Sequence, residues 1–221
     1  MTASPSWHFD AVRLHCRFLG TGKSLSFVRC LKVTHMLKRF LLVALLALPV
    51  AAWAFIKPLR VLAPEFAGVT CFEKVCVDDA AQFSEAKALS EEAVLFVQSS
   101  VGKLQVVPRM VFCSTKECSR SFGFSSNGAY NVGTLGLVIS HRGWHPYFVR
   151  HELIHYLQNE RLGSLNAWLF KPDWFKEGMA YSLSEDPRAP LPEPLQGYRA
   201  RFESWFKLVG AEHLWAEAER L

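Results

Sequence analysis

The sequence predicts a single α+β domain that follows an apolar segment near the N-terminus. Three observations lead to this class: one helical pattern comes first, two apolar stretches typical of strands follow it, and further helical patterns complete the chain. The 221 residues are 50% hydrophobic and 20% charged, a composition that supports a folded core and excludes a disordered or collagen-like chain. The sequence shows no internal repeat and no low-complexity stretch.

An uncharged apolar run extends from Phe40 to Ile56, with Lys38 and Arg39 directly before it and Lys57 directly after it. Its seventeen residues are at the lower limit for crossing a bilayer, and a secretory signal has the same pattern. Basic residues before such a run keep the preceding end in the cytoplasm. We therefore expect the rest of the chain in the periplasm, held at the inner membrane by a single-pass anchor.

Cleavage of this segment is an open alternative, which would release the domain into the periplasm. Small residues near its end form an A-x-A site that predicts cleavage after Ala54. Phe55 and Ile56 continue the apolar run, and Trp53 suits a membrane interface. These three residues favour an uncleaved anchor.

The start of the chain is also open to two interpretations. Met36 begins MLKR directly before the apolar run, as a signal segment normally starts, so we expect translation to begin there; a genuine cytoplasmic extension is the alternative. The chain is accordingly divided into a doubtful leader, a signal anchor or signal peptide, an irregular lead-in and a folded domain: 1–35, 36–56, 57–80 and 81–221.

The distribution of charge argues against a nucleic-acid-binding surface. The formal net charge is +5, but residues 1–56 contain seven Lys and Arg against one Asp. Eighteen basic and nineteen acidic residues follow, so the part beyond the anchor has a net charge of −1. Because the basic excess lies beside the apolar segment, we expect no nucleic acid among the partners.

Four cysteines beyond the anchor form two close pairs, Cys71 with Cys76 and Cys113 with Cys118. An exported chain meets an oxidising compartment, and two local bridges need the least rearrangement of the chain. The sequence therefore favours two disulfides. Ligation of zinc by all four cysteines is the alternative, although the spacing within each pair is long for a structural zinc site.

The folded domain begins with a helical pattern over Ala81–Val101, and Gly102 ends it. Two apolar stretches predict buried strands over Gln105–Cys113 and Gly133–Ser140. Between them, the sequence predicts a short turn or helix near Lys116–Phe122 and a loop that contains SSNG.

The second half of the domain is predicted to be helical. One helix extends over Pro146–Leu162 and ends at Gly163, and another covers about Asp173–Ser184. Four prolines between residues 187 and 194 predict an extended connector. Tyr198–Leu221 is a closing amphipathic region.

The helix over Pro146–Leu162 contains the pattern HExxH, from His151 to His155. Residues four apart lie one above the other on a helix, so both imidazoles can bind one zinc ion. Glu152 is turned about 100° from His151, which places it beside a metal-bound water and not on the metal. The apolar residues of this helix lie on roughly the opposite side.

A second motif is needed, because a bare HExxH pattern also occurs by chance. Pro172 and Asp173 predict a helix start that places Glu177 about one turn into the next helix. Gly178 lacks a side chain, which is expected to let this helix pack closely on the HExxH helix. Glu177 then completes a set of two histidines and one glutamate, with a fourth position left for water.

The segments VRHELIHYLQ and DWFKEGMAYSLSED resemble the gluzincin zinc metallopeptidases, the thermolysin-like clan with HExxH on one helix and a Glu on a second. The similarity covers about forty residues. It implies a small zincin-like α+β fold in which an active-site helix lies beside a short sheet. It also implies His151, His155 and Glu177 as zinc ligands and Glu152 as the general base.

Three further expectations concern the surroundings of the metal. In that clan the strand before the metal helix often forms the edge along which an extended substrate lies, which implies this role for Gly133–Ser140. Many gluzincins have an Asp four residues beyond the ligand Glu that orients a histidine; this chain has Tyr181 there, so another group must do so. Candidates by residue type for stabilising the oxyanion are two histidines, expected to be ordinary loop residues, and two tyrosines: His141, His145, Tyr181 and Tyr198.

These observations predict a membrane-anchored zinc peptidase that faces the periplasm. It would hydrolyse peptide bonds through a zinc-bound water activated by Glu152, with a peptide or protein as substrate. The alternative is a catalytically inactive metallopeptidase-like module for binding or assembly in the cell envelope. Glu152 favours the enzyme, because a purely structural zinc site has no use for that carboxylate.

Overall fold

The computed structural model describes residues 25–124 and 126–221, with side chains described from residue 36 onward. Residues 1–24 of the predicted leader, and Ser125 of the predicted loop, lie outside the described residues. The chain divides after Ala51 into two units.

The apolar segment forms part of a long helix, α1 (Leu25–Phe55). Within it, Met36–Phe55 is long and apolar enough to cross a membrane, and none of this stretch is buried in the protein. A signal sequence has the same length and composition, so α1 agrees with both alternatives for the segment.

From Ala52 onward the chain has the predicted α+β class, with a five-stranded mixed sheet among the described residues. Short 3-10 helices cover Lys57–Leu62, Pro64–Ala67 and Ala80–Gln82. The strands are β1 (Thr70–Phe72), β2 (Val75–Val77), β3 (Met110–Phe112), β4 (Ala129–Asn131) and β5 (Leu137–Ile139). The helices are α2 (Phe83–Ser100), α3 (Lys116–Ser121), α4 (Pro146–Leu162), α5 (Ser164–Phe170), α6 (Asp173–Leu183), α7 (Leu195–Val209) and α8 (Leu214–Arg220).

The strand order is β1-β2-β3-β5-β4, with parallel pairs in the middle and an antiparallel pair at each side. The lead-in of residues 57–80 is therefore not wholly irregular, since it supplies β1 and β2. Strands of three residues are too short to show an alternating pattern. The turn of this hairpin, Glu73-Lys74, also lacks the Gly or Asn typical of such turns, although Glu73 has a positive φ of 55°.

Both faces of the sheet are buried. Met110 and Phe112 of β3 contribute to a large core with the helices, whereas Val111 between them packs in a second cluster on the other face. Leu137 and Ile139 of β5 alternate with Val138 in the same way. This two-sided burial explains why these strands appear in the sequence as continuous apolar runs.

The four cysteines are paired as the local alternative predicted, Cys71 with Cys76 and Cys113 with Cys118. All four belong to the cluster on the face of the sheet opposite the large core. Their sulfur atoms are bonded in pairs, so this structure does not form the alternative site with one metal and four cysteines.

Most predicted helices are confirmed, and α4 has the predicted bounds. Gly178 of α6, however, does not face α4. A Cβ atom there would lie 2.3 Å from the carbonyl oxygen of Tyr198 and 2.7 Å from Cβ of Phe202, so this glycine permits close packing of α6 on α7. The expectation that it faces the HExxH helix was wrong, because Gly178 is turned about 100° from the ligand residue Glu177.

Candidate metal centre

Local sequence explains why α4 forms and how it presents its polar residues. His145 occupies the N-cap position, Pro146 is the first helical residue, and Gly163 ends the helix with a positive φ of 79°. Val149 and Leu153 are fully buried in the large core. The opposite side of the helix therefore carries the histidines into a cavity, as the sequence predicted.

The three predicted ligands come together across α4 and α6. The Nε2 atoms of His151 and His155 lie 3.2 Å apart, and the carboxylate oxygens of Glu177 lie 3.7 Å from the first and 3.6 Å from the second. Zinc with ligands at about 2.1 Å in tetrahedral geometry separates its donor atoms by about 3.4 Å. The two distances to Glu177 involve different oxygens of its carboxylate, and one donor atom from each residue lies within 4.8 Å of the other two, so the group could hold a metal.

Electrostatics at this cluster favour a cation. Burial lowers the pKa of His155, but the hydrogen bond and charge of Glu177, the charge of Glu152 and a hydrogen bond to Gln158 raise it to about 9. Burial raises the pKa of Glu177, yet the two imidazoles hold it well below its usual range. A metal that binds here must displace the proton from His155, because a ligand nitrogen must be unprotonated.

Glu152 lies beside the ligand cluster but does not belong to it. The residue is buried, and burial raises the pKa of its carboxyl group against the lowering effects of His151 and His155. The backbone N–H of Asn131, the last residue of β4, also interacts with it. The predicted general base therefore interacts both with the two histidines and with β4, an edge strand of the sheet.

Gln158 is a site residue that the sequence analysis missed. Its side chain is almost fully buried and accepts a hydrogen bond from Nδ1 of His155 at 2.9 Å. Its amide nitrogen donates to the backbone carbonyl of Lys176 at 3.0 Å. The position of Gln158 in the sequence could have indicated this role, because a residue three positions beyond His155 lies on the same face of the helix.

Tyr181 occupies the position where the resemblance predicts an Asp. Its ring packs edge-on against His151, with centroids 4.5 Å apart, and burial raises the pKa of its hydroxyl group. Nδ1 of His151 is buried and has no hydrogen-bond partner in the described part of the chain. The two histidines therefore differ in how they are supported.

A cavity of about 1120 Å³ contains the cluster. Of the four oxyanion candidates, Tyr181 and His145 line this cavity, whereas His141 and Tyr198 do not.

All three residues of β4 also line the cavity, and β4 pairs only with β5 among the described strands. The expectation that Gly133–Ser140 forms the substrate edge was wrong: its strand, β5, lies between β3 and β4.

An unexpected helix, α5, borders the cavity beyond the C-terminal end of α4. Leu165 and Trp168 line the cavity although 68% and 73% of their surfaces are exposed. The buried Ala167 attaches this short helix to the core. A seven-residue helix gives too little periodicity to be predicted from sequence.

Comparison with family models, with curated proteins and with solved structures found no match to this chain.

Proposed function

We propose that this protein is a zinc-dependent peptidase that hydrolyses peptide bonds in extended polypeptides. The observation that carries the proposal is the convergence of His151, His155 and Glu177, whose donor atoms lie within 4.8 Å of one another, with the buried carboxylate of Glu152 beside them. Two histidines and one glutamate form the donor set of several catalytic zinc sites, in which the remaining position is open.

Zinc is the metal that this donor set suits best. A set of two imidazoles and one carboxylate favours it, whereas calcium and magnesium prefer oxygen ligands alone. Zinc bound there would act as a Lewis acid: it would polarise a carbonyl oxygen and lower the pKa of a bound water towards about 7.

Glu152 supplies the acid-base chemistry in this proposal. Its carboxylate accepts a proton from the attacking water and later returns it to the nitrogen of the leaving amine. Burial raises the pKa of this carboxyl group, which strengthens it as a proton acceptor. Tyr181, which lies in the same cavity wall against His151, is the best placed of the four candidates to stabilise negative charge on the substrate oxygen.

The edge strand β4 supports the proposal that the substrate is an extended peptide. β4 borders the cavity and has an unpaired edge among the described strands, and such an edge can hydrogen-bond to the backbone of another strand. Asn131 at its end interacts with Glu152 through its backbone N–H. A peptide paired with β4 would therefore pass beside the general base.

The length of the cavity supports cleavage within a chain. It extends from His145, before α4, to Leu165, beyond the end of that helix. The seventeen residues of α4 span about 25 Å, which corresponds to roughly seven residues of extended peptide. Because the HExxH residues lie near the middle of α4, we propose an endopeptidase.

The proposed location is the outer side of the inner membrane. α1 contains a stretch that can span a bilayer, Lys38 and Arg39 precede its uncharged part, and both disulfides lie beyond it. A reporter fused after Leu221 should be active in the periplasm, both in the full chain and in one that starts at Met36. Cytoplasmic activity of the reporter would contradict this location.

The decisive test of the function is a peptide-library digest analysed by mass spectrometry, with the full chain in detergent. Wild type, Glu152→Gln and chelator-treated wild type are compared in parallel. We expect cleavage by wild type, a loss of about 10²-fold to 10⁴-fold in Glu152→Gln, and loss on chelation.

The other outcomes are equally informative. Equal cleavage in all three samples would come from a contaminating protease. Absence of cleavage by zinc-loaded wild type, with peptide capture that Glu152→Gln leaves intact, would instead support the binding or assembly module.

A further inference from the structure

The side chain of Gln158 connects the two helices that carry the metal ligands. It is 2% exposed, and both of its polar atoms have partners. Its Oε1 accepts from Nδ1 of His155 on α4 at 2.9 Å, and its Nε2 donates to the carbonyl of Lys176 on α6 at 3.0 Å. Lys176 directly precedes the third ligand, Glu177.

The hydrogen-bond chemistry allows only one orientation of this amide. A backbone carbonyl can only accept a hydrogen bond, so the NH2 group of Gln158 must face Lys176. Its oxygen then faces His155 and can only accept, which requires a proton on Nδ1 of that imidazole. In the neutral imidazole the lone pair is then on Nε2, the nitrogen that faces His151 and Glu177.

Support of this kind is confined to one of the two histidines. Nδ1 of His151 has no hydrogen-bond partner in the described part of the chain, and its ring packs against Tyr181. Ligand histidines in metal sites usually donate their second N–H to a partner that orients the ring. Gln158 is the residue that meets this requirement here, and it does so for His155 only.

We propose that Gln158 is the positioning residue of the metal centre: it holds His155 in the tautomer that presents Nε2 to the metal. The inference rests on the proposed metal binding and deepens it. The role of orienting a histidine, which the resemblance assigns to an Asp at the position of Tyr181, is thereby assigned to Gln158.

Two substitutions separate this role from simple packing. Gln158→Met and Gln158→Glu both lose the hydrogen bond to Lys176, but Glu keeps an acceptor for Nδ1 of His155. In the full chain in detergent, zinc affinity is measured by competition with a chromophoric chelator. We expect Gln158→Met to bind zinc about 10-fold to 100-fold more weakly than wild type and Gln158→Glu to recover most of that loss.

The matched control is Asn159→Ala. Asn159 is the next residue on α4 and donates to the backbone carbonyl of His155 and to the side chain of Asn131, but it does not contact the imidazole of His155. Its zinc affinity should remain within about threefold of wild type. Equal losses in Gln158→Met and Gln158→Glu, or wild-type affinity in Gln158→Met, would overturn the proposal.

A second measurement does not depend on zinc or on the variants. The chain is labelled with 15N at histidine, and the metal-free wild type is examined by NMR at an alkaline pH at which its imidazoles are observed to be neutral. We expect a neutral His155 with its proton on Nδ1; a proton on Nε2 would overturn the inference. If wild type binds no zinc, the proposed function fails, while this measurement still decides the role of Gln158 towards His155.

Discussion

The two faces of the sheet are stabilised in different ways. On one face, α4 and α6 carry buried polar residues, held by packing and by hydrogen bonds such as those of Gln158. On the other face, both disulfides lie in a smaller apolar cluster. Among the described residues, the face with the candidate metal centre, here the site face, therefore has no disulfide. The face with both disulfides, here the bridged face, has none of the predicted site residues.

This difference suggests a division between stability and function. Buried histidines and carboxylates are costly to desolvate, and a bound cation would offset that cost on the site face. The bridged face contributes stability whether or not metal is bound. Substitutions on the two faces should therefore change different measured quantities.

The largest expected effect is loss of metal from the site face. His155→Ala and Glu177→Ala should each lose most of the zinc, because each removes one of three donors, whereas Glu152→Gln should keep it. Metal content of the purified full chain, measured by elemental analysis, checks this. If Glu152→Gln lost zinc and Glu177→Ala kept it, the assigned roles would be reversed.

The next effect concerns the bridged face. Replacing Cys113 and Cys118 together by Ala opens a loop with a sequence separation of 5, which should lower the free energy of unfolding by about 2 kcal/mol. Replacing Cys71 and Cys76, which have the same separation, provides a matched comparison. Denaturant unfolding measures the loss. Zinc affinity should be unchanged in both, and a parallel loss of zinc would contradict the division between the faces.

The ligand cluster was predictable from sequence because it depends on local structure. The HExxH spacing places His151 and His155 on one helix face, and proline and glycine mark the ends of α4. The helix carrying Glu177 was marked by Pro172 in the same way. The sequence could not show that α4 and α6 pack together, but the structure brings Glu177 close to both histidines.

The surroundings of the cluster depend on tertiary packing, and the sequence analysis did not predict them. β4 has only three residues, so no alternation reveals it, and its outer position depends on the strand order. The partners of Gln158 come from two different helices. Gly178 indicated a close helix contact, but only the packing shows that the partner is α7.

A smaller effect should appear at acidic pH next to the bridged face. The carboxylate of Asp78 accepts from the backbone N–H groups of Ser114 and Thr115 and from the hydroxyl of Thr115. Burial raises the pKa of Asp78, but these hydrogen bonds outweigh it and hold the pKa below the usual value of an Asp side chain. Its contribution to stability is therefore present above the pKa of the unfolded state and is lost as the pH falls through the lower pKa of the folded state.

The substitution Asp78→Asn should lower the free energy of unfolding by about 1 kcal/mol at pH 6, and the difference from wild type should shrink towards pH 2. Unfolding measured between these pH values tests this. Asp79, one residue along, accepts a single exposed hydrogen bond, from the backbone N–H of Ala81, which the amide oxygen of Asn can still accept, so Asp79→Asn serves as the reference for an Asp to Asn change. A difference between Asp78→Asn and wild type that stays constant with pH would contradict the expectation.

The smallest effect sharpens the comparison within the site face, at α5. Trp168 lines the cavity, whereas Phe170 on the same helix is 70% exposed and does not line it. Because both side chains are exposed, Trp168→Ala and Phe170→Ala should each change the free energy of unfolding by no more than about 0.5 kcal/mol.

Of these two substitutions, only Trp168→Ala removes apolar surface from the wall of the cavity, beside the proposed path of a peptide. We expect it to weaken cleavage of peptides with large apolar side chains by about 1 kcal/mol, roughly fivefold in kcat/KM, and to leave cleavage of polar peptides unchanged. Equal losses in both variants would show that α5 acts through a surface outside the cavity, and co-sedimentation of the variants with lipid vesicles would then test whether that surface binds a bilayer.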